Sequence, residues 1–364
     1  MTRKKFRAGA IGRTGKGNYG HGLHLSYQGI DDVEFVSIAD EDETGRKKAA
    51  EQTGALRTYA DYREMLKNED LDIVSVCPRW VDCHEDMILA CVEAGCHIYC
   101  EKPLAMTPVS ADRIVAASDR ARCKIAVAHQ GVYLPQIQAV KKLIAQGRIG
   151  TLQSMVACGK QDHRGGGEDM MVLGIHLFNM MRFFAGDPAW IFAHVSANGT
   201  DMTPKDVREA REPIGPIAGD GVISVLGFGN GVIGQFASRA NQPGNGQGYG
   251  LILIGERGRI GMSGNTDSVA ICNREVWAPW QGGYDWVPLN VPTASLHEAG
   301  NRLAIVDLIN AVKNDREPLS SARDARWALD MIWGAYASQI SGAREVLPLV
   351  NRDHPLEVFR RLGE

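Results

Sequence analysis

The tripeptide Glu101-Lys102-Pro103 combines a carboxylate, an amine and a chain break, and it follows an apolar run at residues 96–99 that is typical of a short buried strand. In an open parallel sheet the carboxyl ends of the strands border the ligand crevice, so charged groups placed there face a ligand. A lysine that is stripped of water or set beside a cationic ring can exchange protons near neutral pH. Taken alone, the tripeptide is more often a surface ion pair before a turn, so the interpretation depends on the rest of the chain.

A glycine-rich turn follows the first strand-like run, residues 7–11. Gly15, Gly17 and Gly20 satisfy G-x-G-x-x-G, although the usual register begins directly after the strand, at Gly12. Glycines are needed because a pyrophosphate must approach the backbone amides closely, at the N-terminal end of a following helix. A flexible surface loop is the alternative. The predicted dinucleotide contacts in this turn are Gly12, Thr14, Gly15, Gly17, Asn18 and Gly20.

The next apolar run, residues 33–39, ends in Asp40, twenty residues after Gly20. An acid at this place accepts hydrogen bonds from the ribose hydroxyls of a dinucleotide and repels a 2′-phosphate. The sequence therefore predicts NAD as the cofactor. Arg46, six residues further along, keeps NADP open as the less favoured alternative.

A second group of polar side chains lies on an otherwise apolar helix predicted over residues 168–184. Helical spacing puts Val172, His176 and Asn179 on one face. A buried histidine and asparagine need hydrogen-bonding partners, and a bound sugar would supply them; a backbone carbonyl in the core is the alternative. Asp169 shares this face but stands roughly 10 Å from His176 along the helix axis. It is a candidate substrate contact.

The segment from Lys160 to Arg164 concentrates polar side chains directly before three glycines at positions 165–167. Such a density of polar groups favours recognition of hydroxyl groups or a carboxylate, with contacts from Lys160, Asp162, His163 and Arg164. A metal held by Asp162, His163 and Glu168 is a second interpretation, but the spacing matches no particular ligand motif. A solvated loop is the third.

The elements that position these groups alternate between strands and helices up to residue 129 and change character afterwards. Residues 72–77 form a strand-like run, and Cys77, Pro78 and Trp80 at its end are predicted to border the reactive ring of NAD. Residues 124–129 form the last strand of an α/β domain over residues 1–129. From residue 151 onwards strands are joined by hairpins, within a second domain over residues 130–364.

Composition and charge limit the possible partners. Of the 364 residues 44% are apolar and 23% charged, as in folded proteins. A net charge of -3 gives no electrostatic reason to expect nucleic acid or an anionic membrane as a partner. The sequence contains no long apolar stretch or signal segment, and its eight cysteines form no Cys-x-x-Cys pair. We therefore expect a cytoplasmic protein with reduced thiols and no metal site.

Several of these motifs together resemble the Gfo/Idh/MocA oxidoreductases, a family named after glucose-fructose oxidoreductase and inositol dehydrogenase. The resemblance rests on the glycine-rich first turn, the acid after the second strand and the tripeptide at residues 101–103. It extends through residues 130–135 and 143–150, which look like the family's passage out of the nucleotide domain. Residues 165–167 and 174–176 resemble its second signature, so the resemblance covers essentially the whole chain.

The resemblance implies a fold of class α/β, in which an N-terminal Rossmann domain precedes an α+β domain with an open, mainly antiparallel sheet, and the substrate lies between them. It implies catalytic roles for Lys102 and His176 at the reactive carbon, and a homodimer or homotetramer formed through the C-terminal sheet. The family commonly has an aspartate four residues before the histidine and often another three residues after it. These positions are Val172 and Asn179 here, and neither can ionise.

These observations predict an NAD-dependent dehydrogenase acting on a secondary alcohol of a cyclic sugar or polyol, with Lys102 and His176 sharing the proton transfer. Glu101 would orient Lys102, and both would border the cofactor. The predicted substrate contacts are Lys102, Gln130, Tyr133, Lys160, Asp162, His163, Arg164, Asp169, His176 and Asn179. One alternative is an NAD-retaining enzyme that cleaves glycosidic bonds through a transient keto-sugar and elimination; another is a silent sensor that binds a nucleotide and a partner protein.

Overall fold

The computed structural model describes residues 5–244, 246–276, 278, 280 and 282–363. The chain separates into two compact units. The first unit comprises Met1–Tyr133, Glu212–Ile214 and Ser295–Arg326, and the second comprises Leu134–Arg211, Gly215–Ala294 and Trp327–Glu364. The expected boundary after residue 129 lies four residues before the observed one, and the return of a late segment to the first unit was not anticipated.

The strands of the described residues form two large sheets and one small ribbon. In chain order they are β1 (Phe6–Ile11), β2 (Val33–Ala39), β3 (Arg57–Tyr59), β4 (Ile73–Val76), β5 (His97–Cys100), β6 (Ile125–Val127), β7 (Leu152–Cys158), β8 (Pro188–Ala197), β9 (Thr200–Asp201), β10 (Arg208–Glu209), β11 (Pro216–Ile217), β12 (Gly221–Phe228), β13 (Ile233–Arg239), β14 (Gly250–Gly255), β15 (Gly258–Ser263), β16 (Val269–Cys272), β17 (Val287–Pro288) and β18 (Glu345–Val346).

The α-helices of the same part of the chain vary from three to twenty residues. In chain order they are α1 (Glu43–Thr53), α2 (Tyr62–Asn68), α3 (His84–Glu93), α4 (Pro108–Ala121), α5 (Pro135–Ala145), α6 (Gly167–Asp169), α7 (Ile175–Ala185), α8 (Glu298–Lys313), α9 (Ala322–Ser341) and α10 (Pro355–Leu362). Within the described ranges, no helix combines the length and the apolarity that a membrane crossing requires.

The sheet of the first unit is parallel throughout, with the strand order β3-β2-β1-β4-β5-β6. This is the order of a doubly wound Rossmann sheet, whose ligand crevice lies at the carboxyl ends of β1 and β4, where the direction of the strand order reverses. β4 is buried along its whole length, as expected for a strand covered on both faces. The predicted Rossmann domain is confirmed.

The helix predicted after the glycine-rich turn does not form as an α-helix. The chain instead makes turns and one short 3-10 helix, Leu23–Leu25. Gly20 and Gly22 have φ angles of 58° and 83°, and a right-handed helix cannot continue through backbone of that hand. The expected N-terminal end of an α-helix beside the pyrophosphate is therefore wrong for this chain.

The late segment of the first unit covers the edge strand β6. Ala126 forms an antiparallel bridge with Ser321, and Val127 N donates to Ser320 O at 2.8 Å. An edge strand exposes unpaired backbone groups, and this segment pairs them. Tyr99, on β5, also donates its hydroxyl to Asn301 Oδ1 in α8 at 2.7 Å. The sequence between residues 295 and 326 is thus part of the nucleotide unit.

The second unit contains a ten-stranded sheet with the order β17-β16-β15-β14-β7-β13-β12-β8-β18, and β9 pairs with β8. The β7–β13 pair is parallel and the other pairs are antiparallel, so the predicted open, mainly antiparallel sheet is confirmed. β8 alternates between buried and exposed positions, as in a sheet with one covered face. Phe192, Ile223 and Ile252 are exposed at 46%, 53% and 37%.

The helix predicted over residues 168–184 is divided into three pieces. α6 is followed by a π-helical turn, Met170–Gly174, and then by α7. Tyr249 donates its hydroxyl to Leu173 O at 3.0 Å, which satisfies a carbonyl within the wide turn. Because a π turn contains more residues than an α turn, the single face expected for Val172, His176 and Asn179 from regular helical spacing does not apply across it.

Candidate active site

The glycine-rich turn of the first unit needs glycine for two different reasons. Gly15, Gly17 and Gly20 have φ angles of 80°, 89° and 58°, which L side chains rarely adopt. At Gly17 a Cβ would lie 2.5 Å from Trp80 N, and at Gly20 it would lie 2.5 Å from Cys77 O. At Gly15 the corresponding space is open to 4 Å. The turn is therefore pressed against the end of β4 on one side and accessible at Gly15.

Asp40 stands directly after β2, as predicted, but its carboxylate holds the glycine-rich turn. Thr14 donates to it through its backbone N, at 3.1 Å, and through Oγ1, at 2.7 Å, and Asp42 N donates at 3.0 Å. Asp40 is only 2% exposed. Thr14 approaches α1 so closely that a Cβ on Gly45 would lie 1.9 Å from its hydroxyl oxygen. The need for glycine at position 45, next to Thr14, was missed by the sequence analysis. The predicted ribose contact of Asp40 stays a prediction.

The remaining predicted contacts of the turn also shape it. Asn18, with φ at 52°, accepts a hydrogen bond from Gly15 N through Oδ1 at 2.9 Å. At Gly12 a Cβ would lie 2.2 Å from the ring of Tyr19, so this position must be glycine. The accessible backbone at Gly15 and the acid after β2 fit a dinucleotide at the carboxyl edge of the sheet. The residues of this chain that would hold it are the turn glycines, Thr14 and Asp40.

The turn after β4 is fixed by a buried histidine. His84 contacts Pro78 O through Nε2 at 2.7 Å and Pro103 O through Nδ1 at 2.9 Å, and it is 0% exposed. Burial lowers the pKa of His84, so the ring is neutral at neutral pH. His84 ties the Cys77-Pro78 turn to the Glu101-Lys102-Pro103 turn, a link that sequence reasoning did not find. Trp80, predicted to border the cofactor, is half-buried.

Glu101 and Lys102 follow β5 directly, and both are buried, at 0% and 7% exposure. Burial by itself raises the pKa of Glu101, but His21, with Lys102, outweighs it and lowers the pKa below its ordinary value. The backbone N of Lys102 donates to Glu101 Oε2 at 3.1 Å. Glu101 is therefore a carboxylate shielded from solvent, adjacent to the lysine predicted to do chemistry.

Two predicted substrate contacts in the first unit bond to their own chain. Gln130, 1% exposed, donates through Nε2 to Asn301 Oδ1 at 3.0 Å. The Tyr133 hydroxyl accepts from Ser320 N at 3.1 Å, and Tyr133 is 5% exposed. These bonds indicate structural roles for both residues in attaching the late segment, and their predicted contacts with substrate stay predictions.

In the second unit, the predicted polar segment is a network of ion pairs centred on Asp162. The Arg164 guanidinium donates to both carboxylate oxygens of Asp162, at 2.6 and 3.1 Å, which lowers the pKa of Asp162 to about 2. Lys160 Nζ and His163 Nδ1 each lie 3.9 Å from the same carboxylate. The side chain of His163 is 57% exposed. The structure thus brings these four predicted residues together, within one loop.

Asp169 lies at the end of α6 and is fully buried. Its Oδ2 accepts from Ser238 Oγ at 2.5 Å and from Gln161 N at 3.0 Å, while Oδ1 is buried without a hydrogen-bond partner among the described residues. Burial raises the pKa of this carboxyl group. These contacts indicate that Asp169 positions the 159–164 loop, and its predicted contact with substrate stays a prediction.

The three glycines before α6 allow close packing of the backbone. A Cβ at Gly165 would lie 2.2 Å from Ala240 N, and one at Gly167 would lie 2.1 Å from Ala218 O. They therefore bring the start of α6, and the residues after it, against the sheet. Asn179 on α7 is 3% exposed, and His176 on the same helix is half-buried.

The structure provides no support for the metal interpretation of this segment. Arg208 donates to the Glu168 carboxylate at 3.3 Å, and Asp162 is bound to Arg164. Across the part of the chain that the structure describes, no group of three or more histidine, cysteine or acidic side chains is placed to hold a metal ion.

A doubly wound sheet with a glycine-rich turn after β1, an acid after β2 and a lysine after β5 defines a dinucleotide-binding oxidoreductase domain. The family profile described as an oxidoreductase family with an NAD-binding Rossmann fold matches residues 6–129, and the GFO/IDH/MocA C-terminal domain matches residues 137–261. The chain therefore belongs to the Gfo/Idh/MocA family of NAD-binding oxidoreductases.

Curated relatives match over part of their length. The D-apiose dehydrogenase of Paraburkholderia graminis is 30% identical over 216 residues, which are 57% of this chain and 56% of the relative. The myo-inositol 2-dehydrogenase of Thermotoga maritima is 24% identical over 69% of this chain and 74% of its own, and the D-glucoside 3-dehydrogenase of Escherichia coli is 28% identical over 52% and 56%. The chain thus spans little more than half the length of two of these relatives.

Solved structures match over almost the whole chain. A levoglucosan dehydrogenase in complex with NADH and levoglucosan has a TM-score of 0.76 at 20% identity, covering 95% of this chain and 100% of that one. An Agrobacterium radiobacter oxidoreductase in complex with NAD+, L-tartaric acid and magnesium has a TM-score of 0.71 at 18% identity, covering 94% and 98%. At these identities the likeness concerns the fold.

Proposed function

We propose that the protein is an NAD-dependent dehydrogenase that oxidises or reduces a secondary alcohol of a cyclic sugar or polyol. The observation that carries this proposal is the placement of Lys102, 7% exposed and next to buried Glu101, at the carboxyl end of β5 in an NAD-binding unit. The relatives named for apiose, inositol and glucosides support a polyhydroxylated substrate.

In this proposal Lys102 takes the proton from the alcohol oxygen, with His176 as the second proton-transferring group. When bound, NAD supplies the hydride acceptor, so the protein's task is to position the carbon and move one proton. Glu101 fixes the start of the Lys102 side chain through the hydrogen bond that its carboxylate accepts from Lys102 N. Lys160, Asp162, His163, Arg164 and Asn179 are the proposed hydroxyl-binding groups, and their capacity for charged and neutral hydrogen bonds suits a sugar.

The cofactor preference follows from Asp40. Its carboxylate lies at the end of β2, where a 2′-phosphate would meet like charge. The Arg46 guanidinium, which could otherwise attract that phosphate, donates instead to the carbonyl of Asp40 at 2.5 Å. We infer that NAD is preferred over NADP, and steady-state rates with each cofactor would check this directly.

The principal test is formation of NADH absorbance from NAD with a panel of cyclic sugars and polyols. Lys102→Met should lower kcat by about a hundredfold or more, because it removes the proton acceptor while keeping the length of the side chain. Lys47→Met is the matched control, since this lysine is 70% exposed on α1 and should leave kcat unchanged. Turnover of Lys102→Met at the rate of the unmodified protein would contradict the proposal.

A second comparison separates the roles of His163 and His176, the two histidines of the proposed site in the second unit. His176→Asn should lower kcat by about tenfold or more, whereas His163→Asn should mainly raise KM. The glycoside-cleaving alternative is checked in the same assay with an aryl glycoside. Release of the aryl group with no accumulation of NADH would replace the dehydrogenase by that alternative, and tight NAD binding without turnover would favour a sensor.

We also propose a homodimer or homotetramer formed through the open sheet of the second unit. Phe192, Ile223 and Ile252 expose apolar side chains on β8, β12 and β14, and an exposed apolar patch on a sheet favours association. Light scattering should report a multiple of the 39.7 kDa chain mass, and Ile223→Lys should shift it toward the monomer.

A cytoplasmic location is the expected setting for this activity. All eight cysteines are free thiols. Burial raises the pKa of Cys77, Cys91 and Cys100 well above the ordinary value, so they are neutral and unreactive. A chain with many thiols and no disulfide is typical of a reducing compartment, and fluorescence microscopy of a tagged chain would test the location.

A further inference from the structure

Glu101 is a buried carboxylate whose closest ionisable partner is contributed by the glycine-rich turn. Its Oε1 forms a very short contact with His21 Nδ1, while its Oε2 accepts from Lys102 N. Glu101 itself is 0% exposed, so water has no direct access to this carboxylate. Its proton exchange must therefore pass through a neighbouring side chain.

His21 connects this carboxylate to solvent. Its side chain is 28% exposed, and it lines a pocket of about 390 Å³ in the first unit together with Gly22, Gln28 and Arg302. One nitrogen of the ring contacts Glu101, so the other ring nitrogen is available on the side away from the carboxylate. His21 therefore borders both the buried acid and a pocket of the first unit.

The position of His21 is fixed by contacts that do not use its nitrogens. Its ring stacks on His297, with centroids 4.8 Å apart and an interplanar angle of 14°. Its carbonyl accepts from Asn301 Nδ2 at 2.9 Å. Burial lowers the pKa of His297, and the neighbouring His21 lowers it further.

The other ionisable groups facing Glu101 come from several elements and are poor carriers of a proton. Apart from Lys102, which is part of the proposed route, they are Cys77, Cys100, Tyr99, His84, His129 and His297. Burial raises the pKa values of the thiols and the phenol, and it lowers those of His84 and His129, the latter to about 3. At neutral pH these groups stay neutral, which singles out His21 among the described residues.

We propose that His21 carries protons between Glu101, the neighbour of Lys102, and the water of the 390 Å³ pocket. The inference rests on the proposed dehydrogenase function, which releases one proton per alcohol oxidised. His21 touches neither the reacting carbon nor its oxygen, so it is a positioning and proton-carrying residue that acts through Glu101.

The proton balance is simple because no bond between heavy atoms changes. The alcohol loses a hydride, which reduces NAD+ to NADH, and a proton, which Lys102 takes up. In the proposed route that proton passes to Glu101 and then from Oε1 to Nδ1 of His21. The other ring nitrogen of His21 then releases a proton to solvent in the pocket, so one proton leaves for each proton received.

The test uses chemical rescue of the whole protein. His21→Ala should lower kcat for sugar oxidation by roughly tenfold to a hundredfold, because proton release becomes slow. Imidazole added to the assay should restore most of that loss by entering the pocket and replacing the missing ring. Gln28→Ala is the matched control: it lines the same pocket, lies away from Glu101 and should keep the rate of the unmodified protein with and without imidazole.

Two outcomes of this assay would overturn the proposal. One is a His21→Ala protein that turns over at the unmodified rate. The other is a slower protein, folded by circular dichroism, whose rate does not respond to imidazole, since a purely structural histidine cannot be replaced from solution.

A measurement without substrate separates this proposal from the dehydrogenase assignment. His21→Gln should lower the thermal unfolding midpoint by a few degrees, and by less in the Glu101→Gln background, because the two side chains act as a pair. Equal losses in both backgrounds would overturn the link between them. If His21 and Glu101 are coupled but no sugar is oxidised, the proposed dehydrogenase function is wrong, and the proton-carrying role of His21 falls with it. If sugar is oxidised but imidazole does not rescue His21→Ala, only the His21 proposal is wrong.

Discussion

The two units of this chain hold their polar groups in opposite ways. In the first unit Glu101, directly after β5, and His84, at the start of α3, are fully buried, and contacts with other segments of the chain fix them. In the second unit Lys160, Asp162 and His163 lie in one loop, partly exposed, and bond mainly to each other. In the first unit, a change in a site residue should therefore also change the stability of the fold. In the second unit, a change in the charge of a loop residue should have little effect on folding.

The largest effect on stability is expected in the first unit, where the glycine-rich turn packs tightly against other backbone. Gly20→Ala places a Cβ 2.5 Å from Cys77 O at a φ of 58°, and we expect it to lower the free energy of unfolding by about 3 kcal/mol or more and to abolish NAD binding. Gly22→Ala has a similar φ, 83°, but open space around the Cβ, so it should cost about 1 kcal/mol. Urea unfolding measures both, and equal losses would contradict the role of the close approach.

The histidines give the next largest contrast between the units. A neutral His84 ring can donate to only one of the two carbonyls, so His84→Ala removes one buried hydrogen bond and opens a cavity, and we expect a loss of about 2–4 kcal/mol. His163→Ala, at a side chain that is 57% exposed, should change stability by about 0.5 kcal/mol or less. Both variants can be unfolded in urea under the same conditions, and a large loss at His163 would remove the contrast.

The cost of His84→Ala should also depend on pH. Burial lowers the pKa of His84 below 6.5, so the unfolded chain takes up a proton there at a pH where the folded chain does not. The contribution of His84 to stability is therefore present above about pH 6.5 and is lost as the pH falls. We expect a smaller difference between His84→Ala and the unmodified protein at pH 5 than at pH 8, measured by urea unfolding. A larger difference at pH 5 would contradict this sign.

Two acids of the second unit should respond to pH with opposite signs. Burial raises the pKa of Asp169, so its contribution is present below the unfolded value near 3.8 and is lost as the pH rises through the folded value. Asp169→Asn should therefore be neutral or stabilising by about 1 kcal/mol at pH 7, with no gain at pH 3. The Arg164 bonds lower the pKa of Asp162, so its contribution is present above about 3.8 and is lost toward about 2.

Asp162→Asn is the matched variant for that comparison. It should destabilise the protein at pH 7 by about 1 kcal/mol or less, because solvent screens part of the pair, and the loss should shrink on acidification. Thermal unfolding of both variants between pH 3 and 8 would show the two trends crossing. Parallel trends would mean that the two carboxylates share one environment.

The smallest effect is expected at the surface of the first unit. Arg13 pairs with Asp82 at 3.0 Å, and both side chains are partly exposed, at 21% and 37%. Arg13→Ala should lower the free energy of unfolding by about 0.5 kcal/mol or less, and the loss should decrease at high salt. A loss comparable to that of His84→Ala would show that burial does not separate the two kinds of contact.

Much of the first unit could be predicted because its signals are local. The apolar strands, the position of Asp40 after β2 and that of Lys102 after β5 follow from short runs of sequence. The missing α-helix after β1 could not be predicted, because the glycine motif usually precedes one, and the backbone angles of Gly20 and Gly22 become known only in the fold. The π turn after α6 could not be predicted either, because its residues have a composition that is ordinary for an α-helix.

The parts of the site that sequence reasoning missed depend on contacts between distant positions. His21 stacks on His297, 276 positions later, and Tyr99 bonds to Asn301. A single sequence shows no trace of such pairs, because no local motif links the two positions of a pair. The carboxylate of Asp40 was correctly placed, but its bonds to Thr14 depend on the path of the turn.

The segment Ser295–Arg326 has a consequence for how the chain is made. It belongs to the first unit, yet its last residue, Arg326, lies 193 positions after Tyr133. At typical translation speeds of 5–20 residues per second, the ribosome needs roughly 10 to 40 s to deliver it. Until then the nascent nucleotide domain has an uncovered edge strand and lacks the Asn301 acceptor for Tyr99. A truncated chain that stops at residue 133 should therefore be a poor folding unit and a preferred client of chaperones.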